Sequence, residues 1–148
     1  AKDFFVDPYQ VSYSKSFGCD CILIILSALS DKQSDEIYDE ALKNKLSVIV
    51  EVHDEKEAEY ALKYENAIIG INNRDLKSLE ISLDHSVKMQ KKLISHKGPL
   101  VSESGIKNKK DAQYIYDKTG IKNFLIGESL LASGETDKLI KEILSINL

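Results

Sequence analysis

Short apolar runs rich in β-branched residues alternate with longer amphipathic stretches, and the cycle repeats about every 20 to 27 residues along this chain. Alternation of this kind is typical of βα units. The apolar runs predict six strands, over residues 3–6, 20–26, 46–52, 67–71, 99–102 and 123–126. Because parallel strands need a crossover connection, the pattern predicts an α/β fold with one parallel sheet packed against helices.

The amphipathic stretches between the strands carry helix signals. Residues 31–45 place their apolar side chains on one face, and Pro8 after Asp7 suits the first turn of a helix that Gly18 ends. No linker or low-complexity segment interrupts the series. We therefore expect residues 1–148 to form a single domain.

Four of the predicted strands end in polar residues instead of further apolar ones. These ends are residues 50–53, 71–75, 101–105 and 126–129, and they hold acids, amides, a guanidinium and glycines. The carboxyl ends of parallel strands share one rim, so these groups are expected to converge. A rim of this composition indicates an enzyme.

Two late glycines favour one of the two architectures that fit a parallel series. An open doubly wound sheet binds ligand at a switch point, whereas a (β/α)8 barrel binds along a continuous rim and often holds phosphate late in the chain. Gly105 follows the fifth predicted strand and Gly127 the sixth, and residues 128–132 suit a short extra helix. We expect a partial (β/α)8 barrel of about six βα units.

Composition argues against several classes of partner. The net charge is -4, from 20 basic and 24 acidic residues without a basic stripe, so nucleic acid is not an expected partner. The longest apolar stretch, 21–26 with two further apolar residues beyond it, is far short of the roughly 20 residues that span a bilayer. No membrane association is expected.

The cysteines and histidines suggest no metal site. Cys19 and Cys21 are two residues apart at the start of a predicted strand, where we expect neither a shared metal nor a disulfide between them, and we interpret them as buried reduced thiols of a cytoplasmic protein. His53, His85 and His96 do not have metal-ligand spacing, and only His53 is near the predicted rim.

Glu51 is the strongest catalytic candidate on its own merits. It interrupts an otherwise apolar strand, where a carboxylate is costly to bury unless it is paired or functional. Lys2 precedes the first predicted strand, and a lone lysine there is ordinarily a solvated charge. Its candidacy depends on the other residues.

Asn72 and Arg74 alternate on the next strand end, where they suit a substrate carboxylate or hydroxyl; a turn asparagine and a surface salt bridge to Asp75 are the plainer interpretation. Glu103 and Ser104 repeat the theme one strand later, and a capped turn explains them equally well.

Taken together, these residues resemble the indole-3-glycerol-phosphate synthase family, whose members are (β/α)8 enzymes of tryptophan biosynthesis. The resemblance is carried, in order, by Lys2-Asp3-Phe4, Asp7-Pro8-Tyr9-Gln10, Val50-Glu51-Val52-His53-Asp54-Glu55, Ile69-Gly70-Ile71-Asn72-Asn73-Arg74-Asp75-Leu76, Val101-Ser102-Glu103-Ser104-Gly105-Ile106 and Ile126-Gly127-Glu128-Ser129-Leu130. It covers essentially the whole chain.

The resemblance implies a carboxy-lyase that needs no cofactor or metal. Its substrate, 1-(2-carboxyphenylamino)-1-deoxyribulose 5-phosphate, closes a ring, loses carbon dioxide and then water, and yields indole-3-glycerol phosphate. By resemblance, Lys2 is the general acid of ring closure and Glu51 the acid/base group of dehydration. Both roles are chemically reasonable, because a lysine beside a substrate anion can deliver a proton and burial can shift the pKa of a glutamate toward neutral pH.

The remaining roles implied by the resemblance concern substrate binding. Asn72, Glu103 and Ser104 position the substrate, Arg74 supports the rim, and Phe4 lines the aromatic pocket. Gly105, Gly127 and the N–H groups of Glu128 and Ser129 hold the phosphate.

The same resemblance implies that the chain lacks the first two βα units, about 100 residues of a typical 250-residue barrel. Unpaired strands at 2–6 and 123–126 would then invite homodimerisation, or pairing with the missing amino-terminal segment in trans. The chain alone is expected to be inactive or nearly so. Two alternatives stay open: another phosphate-binding barrel enzyme, such as phosphoribosylanthranilate isomerase or the tryptophan synthase α subunit, and a non-catalytic phosphate-binding or assembly half-barrel.

Overall fold

Five parallel strands in sequential order form the sheet in the computed structural model, which describes residues 1–132 and 134–146. The strands are β1 Cys21–Ile25, β2 Ser47–Val52, β3 Ile68–Asn72, β4 Leu100–Glu103 and β5 Asn123–Leu125. The helices are α1 Tyr9–Ser16, α2 Asp31–Lys43, α3 Glu55–Ala61, α4 Asp84–Gln90, α5 Lys109–Thr119, α6 Glu128–Ala132 and α7 Thr136–Leu144, with a short 3₁₀ turn at Leu26–Ala28.

The strand order β1-β2-β3-β4-β5 never reverses, so the described part of the sheet has no switch point of the doubly wound kind. Each strand pairs in parallel with the next one in the chain. Glu51 pairs in register with Gly70, and Asn72 with Glu103. This order is the one expected for an arc of a (β/α)8 barrel, and it puts the polar strand ends on one rim.

The predicted first strand, residues 3–6, is wrong: these residues belong to no strand. Their backbone N–H groups are bound by nearby side chains, because Asp3 accepts from Phe4 N at 2.8 Å and Gln10 Oε1 accepts from Val6 N at 2.7 Å. A local side-chain acceptor thus competes with a strand ladder for the same donors. The described sheet has five strands instead of six.

Helix signals in the sequence correspond closely to the observed helix ends. The helix predicted over 31–45 is α2, which Ser30 caps by accepting from Gln33 N at 3.3 Å. Gly18 follows α1 with a φ of 83°, as its stop requires, and Pro8 is the residue that precedes the helix. The predicted extra helix is α6.

The main core lies between the sheet and helices α1 to α5. Its buried side chains include Ile24, Val50 and Ile69 of the strands with Ile37 and Ile115 of the helices. A smaller cluster joins α5 to α7. Burial on both sides of the central strands explains why they read as continuous apolar runs.

The cysteines depart from expectation. Cys21 begins β1, whereas Cys19 lies before it, and both are half-buried free thiols, not fully buried ones. Among the described residues, no helix has the length and apolar character needed to cross a membrane.

Candidate functional site

Two buried carboxylates and an amide meet at the rim of the sheet. Glu51 lies on β2, Asn72 ends β3 and Glu103 ends β4, and all three side chains are largely shielded from solvent. Asn72 Nδ2 donates a hydrogen bond to Glu51 Oε1 at 2.9 Å, and the Asn72 side-chain oxygen accepts from Arg74 N at 3.0 Å. The amide is thereby held with its donor facing the carboxylate.

Glu51 is held as an anion by three neighbours. Besides Asn72, His53 Nε2 lies 3.0 Å from Oε1, though not aligned as a full hydrogen bond, and Lys2 Nζ lies 3.5 Å from Oε2. Burial alone would raise the pKa of Glu51, but the contacts with His53 and Asn72 and the Lys2 charge outweigh it and hold the pKa below its usual range.

Glu103 has the opposite environment. Its Oε1 is buried without a hydrogen-bond partner among the described residues, and its Oε2 lies 3.8 Å from Lys2 Nζ. Burial, and then repulsion by the neighbouring Glu51 charge, raise the pKa of Glu103 above its usual range. Two carboxyls whose pKa values are shifted in opposite directions can act as base and acid at the same pH.

Gly70 provides the space for Glu103. A Cβ at this position would stand 2.0 Å from Glu103 Oε1, so only glycine leaves room for the carboxylate. Gly70 was not among the site residues predicted from the sequence. A glycine inside a strand was the available signal, because it often marks a close approach of another group.

The sequence assigned no role in the site to His53, and this is the main omission. His53 directly follows β2, two residues after Glu51, and its Nδ1 is 3.4 Å from Glu57 Oε2 and 3.3 Å from Ser27 Oγ. Burial lowers the pKa of His53, but contacts with Glu51 and Glu57 raise it to about 9. Two acids at i-2 and i+4 were the sequence signal for a charged histidine.

Lys2 reaches both carboxylates from outside the sheet. Its side chain is 57% exposed, and its ammonium lies within 4 Å of one oxygen from each of Glu51 and Glu103. A cation placed between two acids stabilises whichever is ionised and remains accessible to a bound ligand.

A cavity of about 530 Å³ opens beside Lys2, at the predicted phosphate position. It is lined by every residue that the sequence assigned to phosphate, Gly105, Gly127, Glu128 and Ser129, and also by Arg74 and Ser104. The Arg74 guanidinium donates to the exposed carboxylate of Glu128. The volume is within the usual range for small-molecule sites.

The turn after β4 adopts a left-handed backbone along this cavity. Ser104 has a φ of 66° and Gly105 a φ of 82°. A Cβ on Gly105 would approach the Ile81 methyl Cγ2 to 2.5 Å, so the turn needs glycine for space as well as for φ. A positive φ at a non-glycine residue such as Ser104 is costly and often marks a functional site.

A buried polar network, also missed from the sequence, holds this turn. Asn73 Nδ2 donates to Ser102 Oγ at 2.9 Å and to the Ser104 carbonyl at 3.1 Å. Its Oδ1 accepts from both the backbone N–H and the hydroxyl of Ser86, at 3.0 and 2.8 Å. The side chain of Asn73 thus ties α4 and the end of β4 to the turn.

The last two predictions about the site concern Phe4 and metal binding. Phe4 is 57% exposed and is not among the side chains that line the cavity. No group of three or more potential metal ligands occurs within residues 1–132 and 134–146.

Comparison with known proteins agrees with the geometry. The family model "Indole-3-glycerol phosphate synthase" matches residues 1–143. Proteins named indole-3-glycerol phosphate synthase from Acinetobacter baylyi and Bacillus thuringiensis are 40% and 42% identical to this chain. These matches cover 98% and 89% of this chain but 54% and 52% of the relatives, so the chain spans about half the length of the curated relatives it matches.

A solved structure gives the fold independently. The D-psicose 3-epimerase of Clostridium cellulolyticum H10, only 13% identical, superimposes with a TM-score of 0.55 over 87% of this chain and 64% of its own. The fold is therefore a partial (β/α)8 barrel. By the extent of the family match, this chain belongs to the indole-3-glycerol phosphate synthase family.

Proposed function

We propose that this chain carries the carboxyl-terminal part of a synthase active site that acts on 1-(2-carboxyphenylamino)-1-deoxyribulose 5-phosphate. The observation that carries the proposal is the placement of Lys2 between two buried carboxylates and beside the cavity. One cation, an acid/base pair and an anion site within reach of each other suit a reaction that moves protons on a phosphorylated substrate.

In this proposal Lys2 donates the proton that ring closure requires at the ribulose carbonyl. Glu51 then acts as the acid/base group of dehydration, with its carboxylate held by Asn72 at 2.9 Å. Glu103 and Ser104 position the substrate next to this pair. The product after loss of carbon dioxide and water is indole-3-glycerol phosphate, and no cofactor takes part.

The substrate phosphate is proposed to enter the cavity between the turns at Gly105 and Gly127. Glu128 and Ser129 would contribute backbone N–H groups, because they begin α6 immediately after Gly127. Arg74 supports this rim through Glu128, and an incoming anion would compete with the Glu128 carboxylate for the guanidinium. Phe4 is proposed to approach the aromatic part of the substrate.

The assembled enzyme is proposed to contain two further βα units before the present ones, because the relatives are about twice as long. Those units would supply additional groups and cover the site, so this chain alone should have little activity. We also propose a cytoplasmic protein of tryptophan biosynthesis.

The exposed edges offer a route to self-association. β1 and β5 are the outer strands of the described sheet, and several apolar side chains that precede β1 in the chain, among them Phe4, Val6 and Tyr9, are exposed. We propose that these surfaces either pair two copies of the chain or bind the missing units in trans. A chain that elutes as a monomer over a range of concentrations in size-exclusion chromatography would contradict the homodimer.

The experiment that tests the function measures indole-3-glycerol phosphate formation by the 148-residue chain alone, and by the chain supplied with the upstream segment of its gene. Activity only after addition supports the proposal. Activity of the chain alone would show that the missing units are unnecessary. If the two pieces associate and remain inactive, the half-barrel is a non-catalytic phosphate-binding or assembly module, which the half-length coverage favours as the second candidate.

A further inference from the structure

Glu51 has two further charged neighbours, His53 and beyond it Glu57, to which the proposed reaction gives no role. His53 directly follows the strand that carries Glu51, two residues after Glu51, and its ring lies between two carboxylates. Nε2 is 3.0 Å from Glu51 Oε1, and Nδ1 is 3.4 Å from Glu57 Oε2. A carboxylate oxygen within 4 Å of each ring nitrogen favours the doubly protonated imidazolium by charge attraction, although Nε2 is not aligned for a full hydrogen bond.

Hydrogen bonds hold Glu57 in place, so the His53 ring has a fixed carboxylate on the side away from Glu51. Its Oε2 accepts the His53 backbone N–H at 2.7 Å, and its own backbone N–H donates to the α3 cap Asp54 at 2.8 Å. The His53 side chain is only 10% exposed. A buried imidazole between two fixed acids has little freedom to rotate away, so its charge stays directed at Glu51.

The other groups around His53 act in different directions. Ser27 Oγ lies 3.3 Å from Nδ1 and can accept from it. The His53 charge lowers the pKa of Glu103 on β4, but burial and the Glu51 charge raise that pKa by more. The pKa of His85 on α4 is lowered by burial and then by the charge of His53. Lys2 Nζ lies 3.5 Å from Glu51 Oε2 and 3.8 Å from Glu103 Oε2.

The two site carboxylates differ in how many partners they have. Glu51 has Asn72 and His53 near Oε1 and Lys2 near Oε2, whereas Glu103 has one oxygen buried without a partner in the described part of the chain. An ionised carboxylate tolerates such an oxygen poorly, and a protonated one tolerates it better. Removing His53 would take one partner from Glu51 and so reduce the preference for ionising Glu51 over Glu103.

We propose that His53 is a positioning residue that, as a cation held between Glu51 and Glu57, keeps Glu51 ionised and leaves the proton of the carboxylate pair on Glu103. The assignment of catalytic steps to Glu51 rests on the proposed function, but the protonation states do not. His53 thereby sets which carboxyl enters the reaction as base and which as acid.

The test is an NMR titration of the 148-residue chain with labelled histidine rings and glutamate carboxyls. In the unmodified chain the His53 ring should titrate near pH 9, and Glu51 should titrate below Glu103. In His53→Gln the Glu51 pKa should rise by roughly 1 to 3 units, the usual effect of one nearby opposite charge. An unchanged Glu51 titration in that variant would overturn the proposal.

A second variant guards against loss of folding. Glu57→Gln leaves the imidazole in place and removes one of its two acids, so the His53 pKa should fall, whereas the Glu51 pKa should not rise, because Glu51 titrates where His53 is still fully protonated. His53 titrating near 6.5 in the unmodified chain, or insensitive to Glu57→Gln, would also overturn the proposal. His96→Gln is the matched control, because His96 contacts the Ala67 carbonyl at 3.0 Å and, in the described part of the chain, forms no ion pair with either carboxylate.

Activity gives a separate readout in the assembled enzyme. His53→Gln should move the acidic limb of the kcat profile to higher pH with little change in KM, whereas a purely structural defect would lower kcat at every pH. If no synthase activity is found but the titrations behave as stated, the proposed function fails and the inference about His53 stands.

Discussion

Replacing Gly70 with alanine tests how the site makes room for a buried carboxylate. The new Cβ would stand 2.0 Å from Glu103 Oε1 and 3.2 Å from Ile49 Cγ2. Ordinary contact begins at about 3.4 Å, so the carboxylate must retreat by roughly 1.4 Å while Ile49 yields only a few tenths. Gly70 does not have a positive φ, so the cost is almost entirely this clash.

Overpacking of this kind costs about 1 to 3 kcal/mol. The clashing atom ends a flexible side chain, so we expect Gly70→Ala to lower the free energy of unfolding by about 1 to 2 kcal/mol. Urea denaturation measures the change. Gly127→Ala is the control for stability: its Cβ would meet nothing within 4 Å, and its effect should stay within about 0.5 kcal/mol.

A double-mutant cycle identifies the cause. In a Glu103→Ala background the carboxylate is gone, so Gly70→Ala should cost about 1 kcal/mol less than in the unmodified chain. In a Glu103→Gln background the side chain keeps its length, so the cost should persist. An equal loss in the unmodified chain and in the Glu103→Ala background would refute the argument.

Three further predictions concern charge, backbone and polar networks. Folding raises the pKa of His53 from 6.5 to about 9, so the protonated ring contributes fully to the free energy of unfolding below pH 6.5 and loses this contribution by pH 9. The free energy of unfolding, measured by urea denaturation, should therefore fall by up to roughly 3 kcal/mol over that range. In His53→Gln the fall should be smaller. Gly105→Ala should cost about 2 to 4 kcal/mol and weaken phosphate binding in calorimetry, whereas Gly120→Ala, with positive φ but open space, should cost about 1 to 2 kcal/mol. Asn73→Ala should cost about 2 to 4 kcal/mol in thermal unfolding, because it removes four hydrogen bonds, among them those to the Ser86 N–H and the Ser104 carbonyl; a loss below about 0.5 kcal/mol, on the order of a surface change, would contradict this.

Much of the fold followed from periodicity, because apolar runs and helix caps are local signals. The parallel order, the Gly18 stop and the α6 helix were all predicted. The strand at 3–6 was wrong for an equally local reason: Asp3 and Gln10 bind the backbone donors that a sheet would need, and composition alone did not reveal that competition.

The site was harder to predict where it depends on contacts between strands. Glu51, Asn72 and Glu103 were expected together because strand ends share a rim, and the structure brings them together. The space at Gly70 depends on how β3 and β4 pair, and the charge on His53 depends on α3 packing against β2. Neither the distance between Gly70 and Glu103 nor that between His53 and Glu57 follows from residue type or from spacing along the chain.

The register of the sheet determines where this chain can gain or lose residues. Glu51 is level with Gly70, and Asn72 is level with Glu103. Deleting one residue within β4 would turn Glu103 to the other face of the sheet and away from Lys2, because side chains alternate between the two faces of a strand. The loop at 75–80 lies outside the ladder and can absorb such a change. Length variation in related sequences should therefore fall between the elements and spare the strands that carry the carboxylates.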